Sequence, residues 1–418
     1  MSEAQAGRLP WHRRLHVQIF VGMGLGLAVG LLGGEAVADR IGWIGTLFVR
    51  LLKMVIVPLV ITSIVTGVAS VGGGRGLGRL FGKTLGYYVL SSALAVLTGL
   101  AVLNLIQPGV GAQIVGAESR ALPDLQTPSS ITDLLLGMVP LNVIDAAAKP
   151  DMLGVIFFCI LFGIALAGLP ENPRERLLGL FESAFQAMMA LTSGIVRLAP
   201  IGVFALIARV AGSSGLDAFR ALGLYMVSIA LGLAIHVGIT LPILLRVLGG
   251  IRPGVHFRNM LNPLTMAFST ASSAATLPVT LRAVEERVGV SNRVSSFVLP
   301  MGATVNMDGT ALYECAGVLF IAQVLGVDLS LSQQFVVVVT ALLASIGAAA
   351  VPSAGLVVIF LVLESVNLRG PEVDLIVGAM LAIDRPLDMG RTAVNVFSDS
   401  CGAAIIARSE GEAGVDAA

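Results

Sequence analysis

Asp384-Arg385-Pro386-Leu387-Asp388-Met389-Gly390-Arg391-Thr392-Ala393-Val394-Asn395-Val396-Phe397-Ser398-Asp399 threads ionisable residues through a segment that hydropathy assigns to a membrane span. Asp388, Arg391, Thr392, Asn395 and Asp399 follow at steps of 3, 1, 3 and 4. On an α-helix they line one face and rise about 16 Å from first to last. A central Asp or Arg costs about 2.5–3.5 kcal/mol to insert, so such residues face a bundle interior and mark substrate or ion pathways. The stretch predicts a transport site, with Arg391 the sole cation on the polar face.

The composition agrees. Mean hydropathy is +0.91; 56% of the 418 residues are apolar and 12% are charged, against roughly 25% charged in soluble domains. No polar linker separates the apolar segments, which predicts one integral unit. A net charge of zero, with basic residues scattered through short loops, gives no nucleic-acid patch. Cys159, Cys315 and Cys401 lie in apolar segments and read as small buried hydrophobes, not a disulfide framework.

A first apolar span is predicted at about 18–33, and further ones at about 42–71, 84–107, 131–168, 176–212 and 219–247, each of the latter able to cross a core that needs about 20 residues. The first follows Arg13 and Arg14 like a signal peptide, but lacks an A-x-A site and is soon followed by another span. Arg75, Arg79 and Lys83 follow the second span, Arg174 and Arg176 the fourth, and Arg246, Arg252 and Arg258 the sixth. The loop 108–130 carries Glu118, Arg120 and Asp124. The positive-inside rule therefore puts the N-terminus in the cytoplasm.

Beyond residue 250 two long segments are interrupted midway by small or turn-forming residues: about 256–288, broken at Ser269–Ala275, and about 331–368, broken at Gly347–Gly355. Each reads as a re-entrant hairpin followed by a polar-studded span. The flanking charges place the two hairpins on opposite sides of the membrane, an inverted repeat that sets a substrate site near the midplane. Between them, Gly302-Ala303-Thr304-Val305-Asn306-Met307-Asp308-Gly309-Thr310 predicts a local unwinding. Its freed carbonyls, the Asp308 carboxylate and the Asn306 amide are hard oxygen ligands suited to an alkali cation. A kink holding only a buried polar network is the alternative.

The Ser272-Ser273 apex, the run Asn306-Met307-Asp308-Gly309-Thr310, the tip Val351-Pro352-Ser353-Ala354-Gly355 and the Asp388–Asp399 face resemble those of the dicarboxylate/amino acid:cation symporters, the glutamate/aspartate transporter family. Inverted repeats are an established property of that family. The resemblance implies an all-α polytopic membrane protein of eight transmembrane helices plus two oppositely oriented re-entrant hairpins, with no enzymatic activity. It implies a homotrimer in a bacterial inner membrane, both termini cytoplasmic, working by an elevator motion. Spans 1, 2, 4 and 5 (about 12–71 and 131–212) would form a scaffold. Spans 3, 6, 7 and 8 with both hairpins (about 80–107 and 219–408) would carry an acidic amino acid with sodium.

The resemblance also assigns roles. Arg391 and Thr310 would hold the substrate side-chain carboxylate and Asp388 and Thr392 its α-ammonium. Asn395, Ser272, Ser273 and the tip amides around Val351 and Gly355 would hold its α-carboxylate. The residue chemistry is compatible, since a guanidinium pairs bidentately with a carboxylate and Asp388 offers the opposite charge one turn away. Sodium ligands would be Tyr88, Ser91, Ser92, Asn306 and Asp308 for one ion and Gly302, Asn306, Asn395 and Asp399 for another. Thr304, Ser345 and Ile346 would surround a third, weakened because Ala348 stands where many relatives have threonine. An Asp388–Arg391 salt bridge alone would leave Asp308 and Asp399 unpaired.

Three departures stand out. Neither Ala271 nor Met389 is the arginine that relatives place at one or the other, so Asp388 is expected to lack that partner, and Ala274 replaces a third serine. Glu314, one turn past Thr310, resembles the glutamate of proton- and potassium-coupled animal carriers. The alternatives are a neutral amino-acid carrier, opposed by Arg391, and a C4-dicarboxylate carrier, opposed by Asp388. An intramembrane hydrolase built on Ser272 or Ser273 lacks a base, because His12, His16 and His236 are near no motif and His256 lies at the hairpin's end.

Overall fold

The computed structural model describes residues 15–70, 78–112, 136, 139–149, 151–215, 217–346 and 354–416, and every regular element among them is helical. Lipid offers backbone polar groups no partner, and an α-helix satisfies them within its own segment. Val17–Val37, Asp39–Ala69, Arg79–Ile106 and Phe219–Gly249 are each long and apolar enough to cross a membrane. The first two form one helical run, Leu15–Ser70, kinked where Gly34 takes φ 59° and ψ −161°.

Two predicted spans divide. The segment 176–212 becomes helices Glu171–Val196 and Ala199–Ser214, bent by 50°, because Pro200 falls at the start of the second helix, where its missing N–H is harmless. Of 131–168, residues 131–135 lie outside the described residues. The remainder contains helices Val143–Ala148 and Met152–Ala167, each begun by a side-chain cap, Asn142 and Asp151. Helix Ala199–Ser214 packs along Leu15–Ser70 through Gly22, Gly26 and Gly30, where a Cβ would run into the backbone carbonyls of Pro200, Phe204 and Ala208. Such small-residue rows substitute for the missing hydrophobic drive between helices in lipid.

The breaks that build a polar centre fall where small and polar residues cluster. Helix Pro253–Thr270 ends at Ala271 in the left-handed conformation (φ 51°), Ser272 is extended, and Ser273–Ala283 follows, the Ser272 hydroxyl accepting from the Ala275 amide. Helix Asn292–Val305 stops at Asn306 and Met307, which are non-helical, and resumes as Asp308–Val324. Helices Leu331–Ile346 and Ala354–Ser365 pack against each other; the tip between them, with Val351, lies outside the described residues. The polar stretch lies within one continuous helix, Pro371–Ser409.

Candidate functional site

Asn306 and Asp308, freed by the break in their helix, meet side chains from helices Gly78–Ile106 and Pro371–Ser409. Asp308 Oδ1 accepts from Ser92 Oγ at 2.6 Å and Ser91 Oγ at 3.3 Å, and Oδ2 accepts from Ser398 Oγ at 2.6 Å. Asn306 Nδ2 donates to Asp399 Oδ1 at 2.9 Å and Ser398 Oγ at 3.0 Å, while its Oδ1 faces Ser91 Oγ at 3.2 Å. Tyr88 closes the edge, its hydroxyl donating to the Val298 carbonyl at 2.7 Å. Gly302 leaves the room, since a Cβ there would lie 2.5 Å from Asp399 Oδ1 and 2.6 Å from the Tyr88 hydroxyl. Tyr88, Ser91, Ser92, Asn306, Asp308 and Asp399 are all buried. Two carboxylates thus sit among oxygen ligands with, among the described residues, no basic side chain bonded to them beyond one histidine, an arrangement that invites a small cation.

That histidine is a correction. His236, set aside in the sequence as remote from any motif, has Nε2 3.0 Å from Asp308 Oδ2 and is fully buried. It opens the π-turn His236–Thr240 between helices Asp217–Ile235 and Leu241–Gly249; such turns recur at functional sites. An ionisable residue in an apolar span was the signal available to find it.

The second centre surrounds Arg391, which is 1% exposed. Its Nη2 donates to Asp384 Oδ1 at 2.9 Å and Asp388 Oδ1 at 3.1 Å, and its guanidinium carbon lies 3.8 Å above the centre of the Tyr313 ring. Nε and Nη1 have no hydrogen-bond partner among the described residues, and a Cβ on Gly355 would stand 3.1 Å from Nη1. Asp384 was missed by the stepwise reading because it lies one turn before Asp388. Neither 271 nor 389 supplies Asp388 with an arginine, but a nearer one does, which the sequence reading did not pick out: Arg385 Nη1 donates to its Oδ2 at 3.3 Å. Arg391 is accordingly not the sole cation of this region.

Asn395 joins the centres, accepting from the Gly309 amide at 2.8 Å and donating to Thr310 Oγ1 at 3.2 Å. Thr392 Oγ1 donates to the Asp388 carbonyl at 2.8 Å. Ser272 and Ser273 are buried at the first hairpin's break, whose second helix packs on the last helix. Glu314 is fully buried, and neither oxygen has a hydrogen-bond partner among the described residues. Of the third set, Thr304 is exposed and donates to the Met301 carbonyl at 3.0 Å, Ser345 is buried and donates to the Leu342 carbonyl at 2.9 Å, and the Ile346 side chain lies outside the described residues; the helices Asn292–Val305 and Leu331–Ile346 that carry Thr304 and Ser345 touch. Cys159, Cys315 and Cys401 are buried free thiols, as expected.

A different trio has the hydrogen-bond order of a serine-hydrolase triad: His256 Nδ1 lies 2.7 Å from Asp416 Oδ2 and Nε2 lies 3.0 Å from Ser400 Oγ. Ser400 and His256 are fully buried, and the Ser400 hydroxyl donates to the Phe397 carbonyl at 2.7 Å. A nucleophile so enclosed meets no substrate.

Apolar helices around a buried centre of carboxylates, amides and one deeply buried arginine define a membrane carrier, not an enzyme. The chain belongs to the sodium:dicarboxylate symporter family, whose profile matches residues 15–409. It is 34% identical to a proton/sodium-glutamate symport protein of Geobacillus stearothermophilus over 94% of each chain. It is 38% identical to an excitatory amino acid transporter of Caenorhabditis elegans, over 87% of this chain and 80% of that one. Identity is 35% to the neutral amino acid transporter B(0) of Bos taurus, over 93% and 78%.

Proposed function

We propose that this protein is a secondary active symporter that imports aspartate or glutamate with sodium. The observation that carries this reading is Arg391: a buried guanidinium braced by Asp384, Asp388 and Tyr313 that keeps two nitrogens for a further carboxylate. Thr310 joins Arg391 at the substrate side-chain carboxylate, and Asp388 with Thr392 takes the α-ammonium. Asn395, Ser272, Ser273 and the amides near Val351 and Gly355 take the α-carboxylate. A neutral substrate leaves Nε and Nη1 of the buried guanidinium without an acceptor, which is costly; a C4-dicarboxylate brings no ammonium to Asp388.

Sodium, as co-transported cargo, suits the hard oxygens of Tyr88, Ser91, Ser92, Asn306 and Asp308 at one position. A second position takes those of Asn306, Asn395 and Asp399 with the Gly302 carbonyl. A third ion would take Thr304, Ser345 and the Ile346 backbone. Glu314 is the candidate for proton or potassium coupling. Eight spans with two inverted hairpins, a scaffold of spans 1, 2, 4 and 5, a homotrimer in the bacterial inner membrane with cytoplasmic termini, and an elevator motion complete the reading. Its test is uptake of labelled aspartate by proteoliposomes with sodium, proton and potassium gradients imposed separately. Sodium-driven accumulation is expected, and equilibration without accumulation would overturn the symporter assignment.

A further inference from the structure

Past the end of helix Pro371–Ser409 the chain turns back and fastens onto the foot of the first hairpin. Glu410 gathers Arg79 at 2.7 Å and Lys83 at 2.6 Å from the helix Gly78–Ile106, with Arg293 at 3.7 Å. Glu412 accepts from the Ser291 amide at 2.9 Å. Val415 is 2% exposed. The Asp416 amide donates to the Val288 carbonyl at 2.7 Å, and its Oδ1 accepts from Asn259 Nδ2 at 2.8 Å. The strand of contacts is tight: Gly289, at φ 85°, has no room for a Cβ, which would lie 2.8 Å from the Gly414 carbonyl oxygen.

At the centre of this clasp stands His256, in the first turns of helix Pro253–Thr270. His256 Nε2 lies 3.0 Å from Ser400 Oγ, and Nδ1 lies 2.7 Å from Asp416 Oδ2, so the ring bridges the last helix and the C-terminal segment. A ring hydrogen-bonded on both sides cannot rotate or slide without losing a buried hydrogen bond. It is packed between Asp416 and Phe397, whose ring centre is 5.7 Å away, with Phe257 edge-on to Phe397 at 5.5 Å. The consequence reaches the ion centre because Ser400 immediately follows Asp399 and Ser398, which hold Asn306 and Asp308. At the far end the same helix leads to the break at Ala271 and Ser272.

We propose that His256 and Asp416 are positioning residues: the C-terminal segment, acting through the His256 ring, fixes the axial register of the first hairpin against the 397–400 turn of the last helix, and so the placement of Ser398 and Asp399 for cation binding. The inference rests on the sodium coupling proposed above.

The test uses the full chain carrying Asp416→Ala, with Asp416→Asn alongside because the amide keeps an acceptor for His256 Nδ1. Three quantities are read: sodium giving half-maximal aspartate binding, aspartate affinity at saturating sodium, and amide hydrogen exchange at 253–260 and 397–401. Asp416→Ala is expected to raise the half-saturating sodium concentration about three- to tenfold, a typical size for coupling through packed elements, while aspartate affinity at saturating sodium stays within about twofold. Exchange rises at both segments, and Asp416→Asn falls between Ala and the parent. Equal losses of sodium and aspartate affinity reduce the clasp to a general fold support and overturn the proposal, as does an unchanged sodium requirement. Should Asp416→Ala fail to assemble, Ser400→Ala removes the other side of the His256 bridge and must give the same sodium shift. If the parent binds aspartate without sodium, the symporter reading fails. Parental exchange at 253–260 and 397–401 in Asp416→Ala overturns the clasp whatever the carrier transports.

Discussion

Replacing Arg391 by cysteine separates the specificity reading from a merely structural one. The side chain is 1% exposed, and its Nη2 serves Asp384 and Asp388, leaving Nε and Nη1 for a bound carboxylate. A hydrogen bond to a charged group contributes about 1.5–3 kcal/mol. Two such bonds give about 3–6 kcal/mol, a loss of roughly 10²–10⁴ in affinity for aspartate and glutamate. Serine and alanine carry the α-ammonium and α-carboxylate but no side-chain carboxylate, so their binding should persist or improve. A second cost comes from the protein itself. Asp388 keeps Arg385, but Asp384 loses its only ion-pair partner among the described residues, and breaking a buried pair costs about 3–5 kcal/mol of stability. Asp384→Asn in the Arg391→Cys background removes that stranded charge.

The assay is competition of unlabelled aspartate, glutamate, serine and alanine against labelled aspartate or serine at saturating sodium, with thermal unfolding in detergent measured in parallel. The double variant should recover stability without recovering aspartate. If it recovers aspartate affinity, or if Arg391→Cys alone binds aspartate like the parent, Arg391 is a counter-ion for Asp384 and Asp388, and the substrate assignment is wrong.

Asp399→Asn should raise the sodium concentration for half-maximal aspartate binding by roughly 10–150-fold, the value of a charge-assisted contact, and change affinity at saturating sodium far less; identical sodium curves for variant and parent would remove Asp399 from the ion site. Glu314→Gln should leave sodium-driven exchange intact and make uptake indifferent to a proton gradient. A parent that responds to neither a pH gradient nor internal potassium makes Glu314 a structural carboxyl only. Glu410 is pushed down to about 2 by its hydrogen bonds to Lys83 and Arg79. Since its folded value lies below the ordinary glutamate value of about 4.3, its contribution to holding the tail is complete above that pH and lost as pH falls toward 2. Limited proteolysis of the C-terminal segment should therefore begin near the lower value in the parent, and Glu410→Gln should abolish this acid dependence; release of the parent tail already at pH 4 to 5 would contradict the pairing.

What could be read from the sequence was whatever one helix or one break decides by itself. The steps from Asp388 to Asp399 fix a face through the helical repeat alone. Asn306 and Met307 unwind, and Ala271 and Ser272 interrupt their hairpin, where small and polar residues interrupt apolar runs. The division of 176–212 was signalled by Pro200, but hydropathy averages over a bend. The residues that escaped notice owe their meaning to distant partners. His236 is 72 residues from Asp308, and Asp416 is 160 from His256; no periodicity connects positions that far apart. Physical cost still marks them, because a histidine in an apolar span must find a partner or remain an unsatisfied polar group, and here both histidines do find carboxylates. The same rule sets Glu314 apart. It is the intramembrane carboxyl for which the described residues supply no hydrogen bond at either oxygen, while Asp308, Asp384, Asp388 and Asp399 are each held by a neighbour. A carrier must change which groups are satisfied as it changes state. The carboxyl left over in this state is thus the natural place to look for a coupled proton, and the held ones are the natural places to look for cargo.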